Sequence, residues 1–116
     1  MKRANTIKKR EEFDHIIKKT TSVKNSFYVL HYLKQKEDIS RFGIAVGVKV
    51  GNAVTRNKLK RRVKEIIKEE KNLFPKNLDY IIIVRKQCLD LNYKQMKERL
   101  IELIKQVKIW KKDGFY

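Results

Sequence analysis

Three segments of this chain have the pattern of hydrophobic and polar positions that predicts β-strands. In 41–50, every second residue from Ile44 onward is apolar, as in a half-buried strand. The segment 27–33 is dense in aromatic and β-branched residues, and 80–84 is a continuous apolar run typical of a buried strand. We therefore expect three strands, with the polar segment 34–40 forming a loop between the first two.

Three other segments place apolar residues every three or four positions, which is the period of an amphipathic helix. These helices are predicted at 11–19, from Asn52 or Thr55 to about residue 71, and after Asp90 or Asn92. The apolar stripe of the second helix is Leu59, Val63, Ile66 and Ile67, and that of the third is Met96, Leu100, Leu103, Ile104 and Val107.

The resulting order, α-β-β-α-β-α, predicts an α+β fold. A small sheet needs a covering layer, so we expect an α/β sandwich in which three helices cover a small central sheet. The chain has one Pro, four Gly and no linker-like stretch, so 1–116 is predicted to be a single domain. Residues 1–9 are expected to be flexible and to start a basic arm. The side chains of this arm are Lys2, Arg3, Lys8, Lys9 and Arg10.

The charge of the chain indicates the class of partner that we expect it to bind. Among 116 residues there are 30 Lys and Arg but only 13 Asp and Glu, a net charge of +17. Such an excess attracts polyanions, so the expected partner is nucleic acid or an anionic membrane surface, and the charge alone does not choose between them. The apolar runs are far shorter than the ~20 residues of a membrane span, and no secretory signal is visible. The single Cys88 cannot form an internal disulfide, which is consistent with a cytoplasmic location.

The positive charge is concentrated in 49–64, which contains seven basic residues and no acid. On a helix, Arg56, Lys60 and Lys64 recur every four positions, with Asn57 and Arg61 on the adjoining row. Like charges at this spacing destabilise an isolated helix, and a bound polyanion would remove the repulsion. A solvated charged surface is the alternative, but the absence of acids favours phosphate binding.

This segment also resembles a known family. The sequence GNAVTRNKLKRR at 51–62 resembles the basic signature of the bacterial ribonuclease P protein subunit. The approach RFGIAVGVKV, the later strand DYIIIVRK and the TSV before the first strand follow in the family's order. Lys58 stands where the signature has a second Arg, so the charge is kept and the bidentate fork is lost.

The resemblance implies a protein that assists a catalytic RNA in removing the 5′ leader of precursor tRNA. It implies no catalytic residue, metal or cofactor in the protein, with Mg²⁺ at the RNA active site. The implied partners are the ribonuclease P RNA and precursor tRNA, without a membrane or a required protein partner. It also implies a mixed, ribosomal-protein-like sheet with an unusual left-handed βαβ crossover. The residues implied to contact RNA are Lys49, Asn52, Arg56, Asn57, Lys58, Lys60, Arg61, Arg62 and Lys64.

A second implied surface is a cleft for the single-stranded leader between the first helix and one sheet face. The matching residues are Phe13, Ile17, Val29 and His31. Phe13 and His31 could stack on unpaired bases. Their spacing leaves an alternative open, in which Phe13 and Ile17 belong to the core.

Other functions are consistent with a small basic chain. A ribosomal-type structural RNA-binding protein would share the size and charge. A stand-alone nuclease would need an acid-base pair, for which His15 and His31 are candidates, but no third group is placed to orient them. The acids are interspersed with Lys and Arg, and no two-metal motif stands out.

Overall fold

The computed structural model describes residues 21–36 and 38–107 and the backbone of two short strands beyond them. Its main sheet has the strand order β1-β2-β4-β3, in which β3 and β4 are parallel and the other neighbours are antiparallel. The strands are β1 (Thr21–Lys24), β2 (Tyr28–Lys34), β3 (Arg41–Val46) and β4 (Leu78–Val84). A separate pair consists of β5 (Trp110–Lys111) and β6 (Gly114–Phe115). The mixed sheet confirms the predicted α+β fold.

Within the described residues there are two α-helices, α1 (Ala53–Glu69) and α2 (Tyr93–Ile104). The count therefore differs from the three that the sequence predicts, because the helix predicted at 11–19 lies outside the described residues, as does the basic arm. The helix α1 connects the parallel strands β3 and β4, so the predicted βαβ unit is present. Its left-handedness stays a prediction.

Both helices begin at an asparagine. The Asn52 side chain accepts a hydrogen bond from the Thr55 backbone N–H at 2.9 Å, which caps α1. Asn92 and Gln95 form a reciprocal capping box at the start of α2. Of the two candidate caps that the sequence offers for each helix, Asn52 and Asn92 are the ones used.

The apolar stripes of both helices face one side of the sheet and form the core with it. All four predicted stripe residues of α1 are buried, and in α2 the stripe is buried from Met96 to Ile104 with Val107 partly buried. On the sheet, Tyr28, Leu30 and Tyr32 are buried on this same face, as strand alternation predicts. The core therefore holds α1 in a fixed orientation, which determines where its polar residues point.

The predicted strand 41–50 is wrong in its second half. Pairing of β3 with β4 ends at Val46, opposite Val84, the last residue of β4. After Gly47, a 3₁₀ turn at Val48–Val50 leads the chain into α1. The alternation of valines continues past the strand, but Val48 is exposed and Val50 is buried by the turn. The short strand β1 is absent from the prediction because only Val23 among its four residues is apolar.

Candidate nucleic-acid interface

The N-terminal part of α1, residues 53–64, carries six of the seven basic residues that the sequence analysis identified. Asn57, Lys58, Arg61 and Lys64 are exposed, and Arg56 and Lys60 are half-buried beside the apolar stripe. Among the ion pairs of the described residues, none involves a basic side chain of this part. We call the side chains Arg56, Asn57, Lys58, Lys60, Arg61 and Lys64 the basic face.

The basic face begins with Arg56 in the first turn of α1, at the end of the helix where positive charge is least favourable. The helix macrodipole gives the N-terminal end a partial positive charge, and carboxylates are the side chains that normally stabilise it. The first turn of α1 contains no acid. Repulsion among the i,i+4 cations adds to this unfavourable interaction. The fold therefore derives no evident stabilisation from these charges, whereas a bound phosphate chain would interact favourably with both the cations and the helix end.

The approach to α1 is sterically constrained at Gly51. A Cβ atom at this position would lie 3.0 Å from Cγ2 and 3.1 Å from Cβ of Thr55. The Gly51 carbonyl also accepts a hydrogen bond from Arg56 Nε at 3.1 Å, which orients this first arginine of the basic face. At Gly47, by contrast, an added Cβ would meet open space. Of the two approach glycines, only Gly51 is required by packing.

The Arg62 side chain points in a different direction from the basic face. Its Nη1 lies 3.5 Å from the Leu91 carbonyl oxygen and 3.7 Å from Met96 Sδ. The side chain thus points toward the start of α2 rather than along the basic face, and its direction depends on packing that the local sequence does not reveal. Lys49 and Asn52 lie on the approach and are exposed, but the Asn52 side chain is occupied by capping.

At the C-terminal end of α1, acidic side chains form ion pairs with α2. Lys97 of α2 lies 3.5 Å from a Glu69 carboxylate oxygen and 3.1 Å from one of Glu70, which follows the helix. The Tyr93 hydroxyl donates a hydrogen bond to Glu69, and this contact is the main cause that lowers the pKa of the Glu69 carboxyl. These contacts join α1 to α2, so the charges of Glu69, Glu70 and Lys97 have a structural explanation.

The face of the sheet away from α1 and α2 carries the other predicted site. His31 and Val29 lie there, opposite Ile81 and Ile83 in the β2–β4 register, and both are half-buried. Burial lowers the pKa of the His31 imidazole below its usual range, which favours the neutral form of the ring. The structure places Val29 and His31 on one face, as predicted. Phe13 and Ile17, their predicted partners in the cleft, lie outside the described residues, as does His15.

One charged pair on the sheet was missed by the sequence analysis. Arg41 of β3 and Asp79 of β4 are register partners, and their side chains are joined by two contacts of 3.0 Å and 2.7 Å. Asp79 is only 4% exposed. The sequence signal was an acid at the start of an otherwise apolar strand, but its partner is 38 residues away. The pair fixes the register at the start of the parallel strands.

The remaining polar chemistry of the described residues is structural. The Cys88 thiol donates to the Phe27 carbonyl, and burial raises the pKa of that thiol to about 11, which agrees with the predicted packing role. In 21–36 and 38–107, no three His, Cys, Asp or Glu side chains are grouped so that they could hold a metal ion. No helix of the described part is long and apolar enough to span a membrane.

Comparison with known proteins gives consistent matches over almost the whole chain. The family model described as Ribonuclease P matches residues 1–108. A ribonuclease P protein component from Bacillus velezensis is 41% identical over 115 residues, which is 98% of this chain and 98% of the relative.

Solved structures agree with this sequence similarity. The RNase P protein of Staphylococcus aureus has a TM-score of 0.83 at 38% identity, covering 89% of this chain and 94% of that one. The RNase P protein from Thermotoga maritima has a TM-score of 0.82 at 35% identity, covering 88% and 96%. The signature helix, the mixed sheet and these matches together show that the chain belongs to the ribonuclease P protein family.

Proposed function

We propose that this chain acts in the cytoplasm as the protein component of a bacterial ribonuclease P and binds the ribonuclease P RNA through the basic face of α1. In this proposal the RNA carries the catalytic centre and its Mg²⁺, and the protein contributes no catalytic residue. The protein assists cleavage by reducing repulsion between two polyanions and by holding the 5′ leader of precursor tRNA.

The observation that carries the proposal is the basic face itself. Its cations lie on a helix whose opposite side is anchored by Val63 and Ile66, both fully buried. They form no ion pair with the described residues, and the first of them, Arg56, lies at the helix end where positive charge is least favourable. Clustered, unpaired cations on a rigid element match the repeating charge of an RNA backbone. Family membership supports the ribonuclease P RNA as this partner.

Substrate discrimination is assigned to the other sheet face. Val29 and His31 provide a weakly charged surface, and a neutral imidazole can stack on an unpaired base. Phe13 and Ile17 of the predicted first helix would complete the cleft. Because the basic face and this surface lie on different sides of the molecule, the protein could contact the partner RNA and the leader at once.

Reconstitution with a bacterial ribonuclease P RNA tests the proposal. At low Mg²⁺, the chain should stimulate cleavage of precursor tRNA, and Arg61→Ala/Lys64→Ala should require a higher protein concentration for the same stimulation. The control is Lys94→Ala/Lys105→Ala, which removes the same charge from exposed positions on and after α2. A chain that binds this RNA without stimulating cleavage would instead behave as a ribosomal-type structural protein, and the proposal would be rejected.

The leader surface has its own test. His31→Ala and Phe13→Ala should each reduce the preference for precursor tRNA over mature tRNA, with little effect on binding of the ribonuclease P RNA. Affinities for both tRNA forms can be measured with the assembled ribonucleoprotein. An equal loss for the two forms would indicate that these side chains serve the core and not the leader.

A further inference from the structure

Three exposed hydrophobic side chains lie at one edge of the sheet, beside the start of the basic face. Val48 and Val54 are each 75% exposed, and Leu89 is 43% exposed. Large hydrophobic residues are otherwise mostly buried in the described chain. The other two exposed ones, Ile39 and Leu73, precede β3 and β4 and lie at the opposite edge.

The topology brings together the three segments that carry these residues. The strands β3 and β4 are parallel, so their carboxyl ends, Val46 and Val84, lie side by side. The turn Val48–Val50 follows β3 and contacts both the beginning of α1 and the turn Lys86–Asp90 that follows β4. Val48, Val54 and Leu89 therefore belong to three segments that meet at one edge. We call these three side chains the carboxyl-edge patch.

The surroundings of the carboxyl-edge patch are predominantly positive. Lys49 follows Val48 in the turn Val48–Val50, and Arg85 and Lys86 precede Leu89; all three are exposed. Lys58 continues the same charge along α1. The acid in these segments is Asp90, at the far end of its turn. A ligand that fits here must therefore be anionic and also present apolar surface.

RNA with unpaired nucleotides has both properties. In a duplex the base faces are stacked on one another, and a protein meets mainly phosphate and ribose. An unpaired nucleotide exposes the face of its base, which can cover aliphatic side chains while its phosphate meets lysine. Three side chains are too few for a stable protein–protein interface, which buries about 800 Å² on each partner.

We propose that the carboxyl-edge patch contacts the exposed bases of unpaired nucleotides in the partner RNA, while the neighbouring Lys and Arg side chains hold the adjacent phosphates. This inference rests on the proposed function. It adds that the RNA is non-helical where it meets the start of α1, and that part of the binding free energy at this site is independent of charge.

The experiment compares Val48→Ser/Val54→Ser with Ile39→Ser/Leu73→Ser, which makes the same kind of change at the opposite edge. Binding of a bacterial ribonuclease P RNA and of a blunt RNA duplex is measured over a range of salt concentrations. Loss of the valines should weaken binding of the ribonuclease P RNA about tenfold, the equivalent of burying roughly two small aliphatic groups. The salt dependence should not change, because no counterion is released by an apolar contact. Duplex binding and the control variant should match wild type.

The results separate this inference from the proposed function. Wild-type affinity of Val48→Ser/Val54→Ser would overturn the inference, and so would an equal loss for the duplex. Neither result affects the proposed function, which is tested separately by stimulation of cleavage and by the Arg61→Ala/Lys64→Ala variant. Surface substitutions of this kind change stability little, so urea unfolding of the variants should match that of wild type. Leu89→Ser provides an independent variant in another segment, with a smaller loss expected.

Discussion

The N-terminal and C-terminal parts of α1 differ in whether their charged side chains form ion pairs. Residues 53–64 contain six basic side chains and no acid, and none of these cations is ion-paired with a described residue. Just beyond them, Glu69 and Glu70 contact Lys97, and Glu69 accepts a hydrogen bond from Tyr93. The charges of Glu69 and Glu70 are thus explained by the fold, whereas the cations of the basic face have no ion-pair partner among the described residues. This difference supports the proposal that the basic face binds RNA.

The largest expected effect concerns the apolar stripe that anchors α1. Ile66 of this stripe is fully buried, and Ile66→Ala should reduce the free energy of unfolding by about 2–5 kcal/mol through lost contacts and a residual cavity. Urea unfolding measures this loss. Lys68→Ala, on the exposed side of the same helix, should change stability by only about 0.5 kcal/mol. Equal effects would show that α1 is not anchored by its stripe.

Smaller effects on stability, opposite in sign, are expected at the two glycines that precede the basic face. Gly51→Ala should destabilise the protein by about 1–3 kcal/mol, because the new Cβ meets Thr55 and the start of α1 must shift. Gly47→Ala should stabilise it by about 0.4–1 kcal/mol, since its extended backbone accepts a Cβ and the unfolded chain loses freedom. Thermal unfolding of the two variants gives both signs. A stabilised Gly51→Ala protein would contradict the packing described for this turn.

The smallest effect concerns the pH dependence of stability, which tests the contact between Glu69 and Tyr93 at the C-terminal end of α1. The folded state lowers the pKa of Glu69, mainly through the Tyr93 hydroxyl, so Glu69 contributes stability above its ordinary pKa of 4.5. That contribution is lost as the pH falls through the lowered value. Tyr93→Phe should therefore flatten the decrease in stability between about pH 5 and pH 3 and leave RNA affinity unchanged. Identical pH profiles for wild type and Tyr93→Phe would mean that the hydrogen bond contributes nothing.

Local periodicity was sufficient to predict most of the described fold. The stripe from Leu59 to Ile67 gave the correct buried side of α1, and the run ending at Val84 gave a buried strand. Periodicity failed where long-range pairing decides the structure. The valine alternation could not indicate that β3 ends at Val46, because that limit is set by β4. The edge strand β1 has one apolar residue and is defined by its pairing with β2.

The candidate site was predicted to a similar extent. Composition and spacing located the basic face because its charges all lie within one helix. They could not show that Arg62 points to Leu91, or that Arg41 pairs with Asp79, because each partner is distant in sequence. The common face of Val29 and His31 followed from strand alternation.

The proposal that the basic face binds RNA is tested most directly by the salt dependence of binding to a bacterial ribonuclease P RNA. Each phosphate contact contributes about 0.7–0.9 to the slope of log affinity against log salt concentration. We predict that Arg61→Ala/Lys64→Ala lowers this slope by nearly two such contributions without destabilising the fold. Lys94→Ala/Lys105→Ala, with the same net charge, should retain a nearly wild-type slope. If both double variants had the wild-type slope, or both lost it equally, the basic face would not be the surface that binds this RNA.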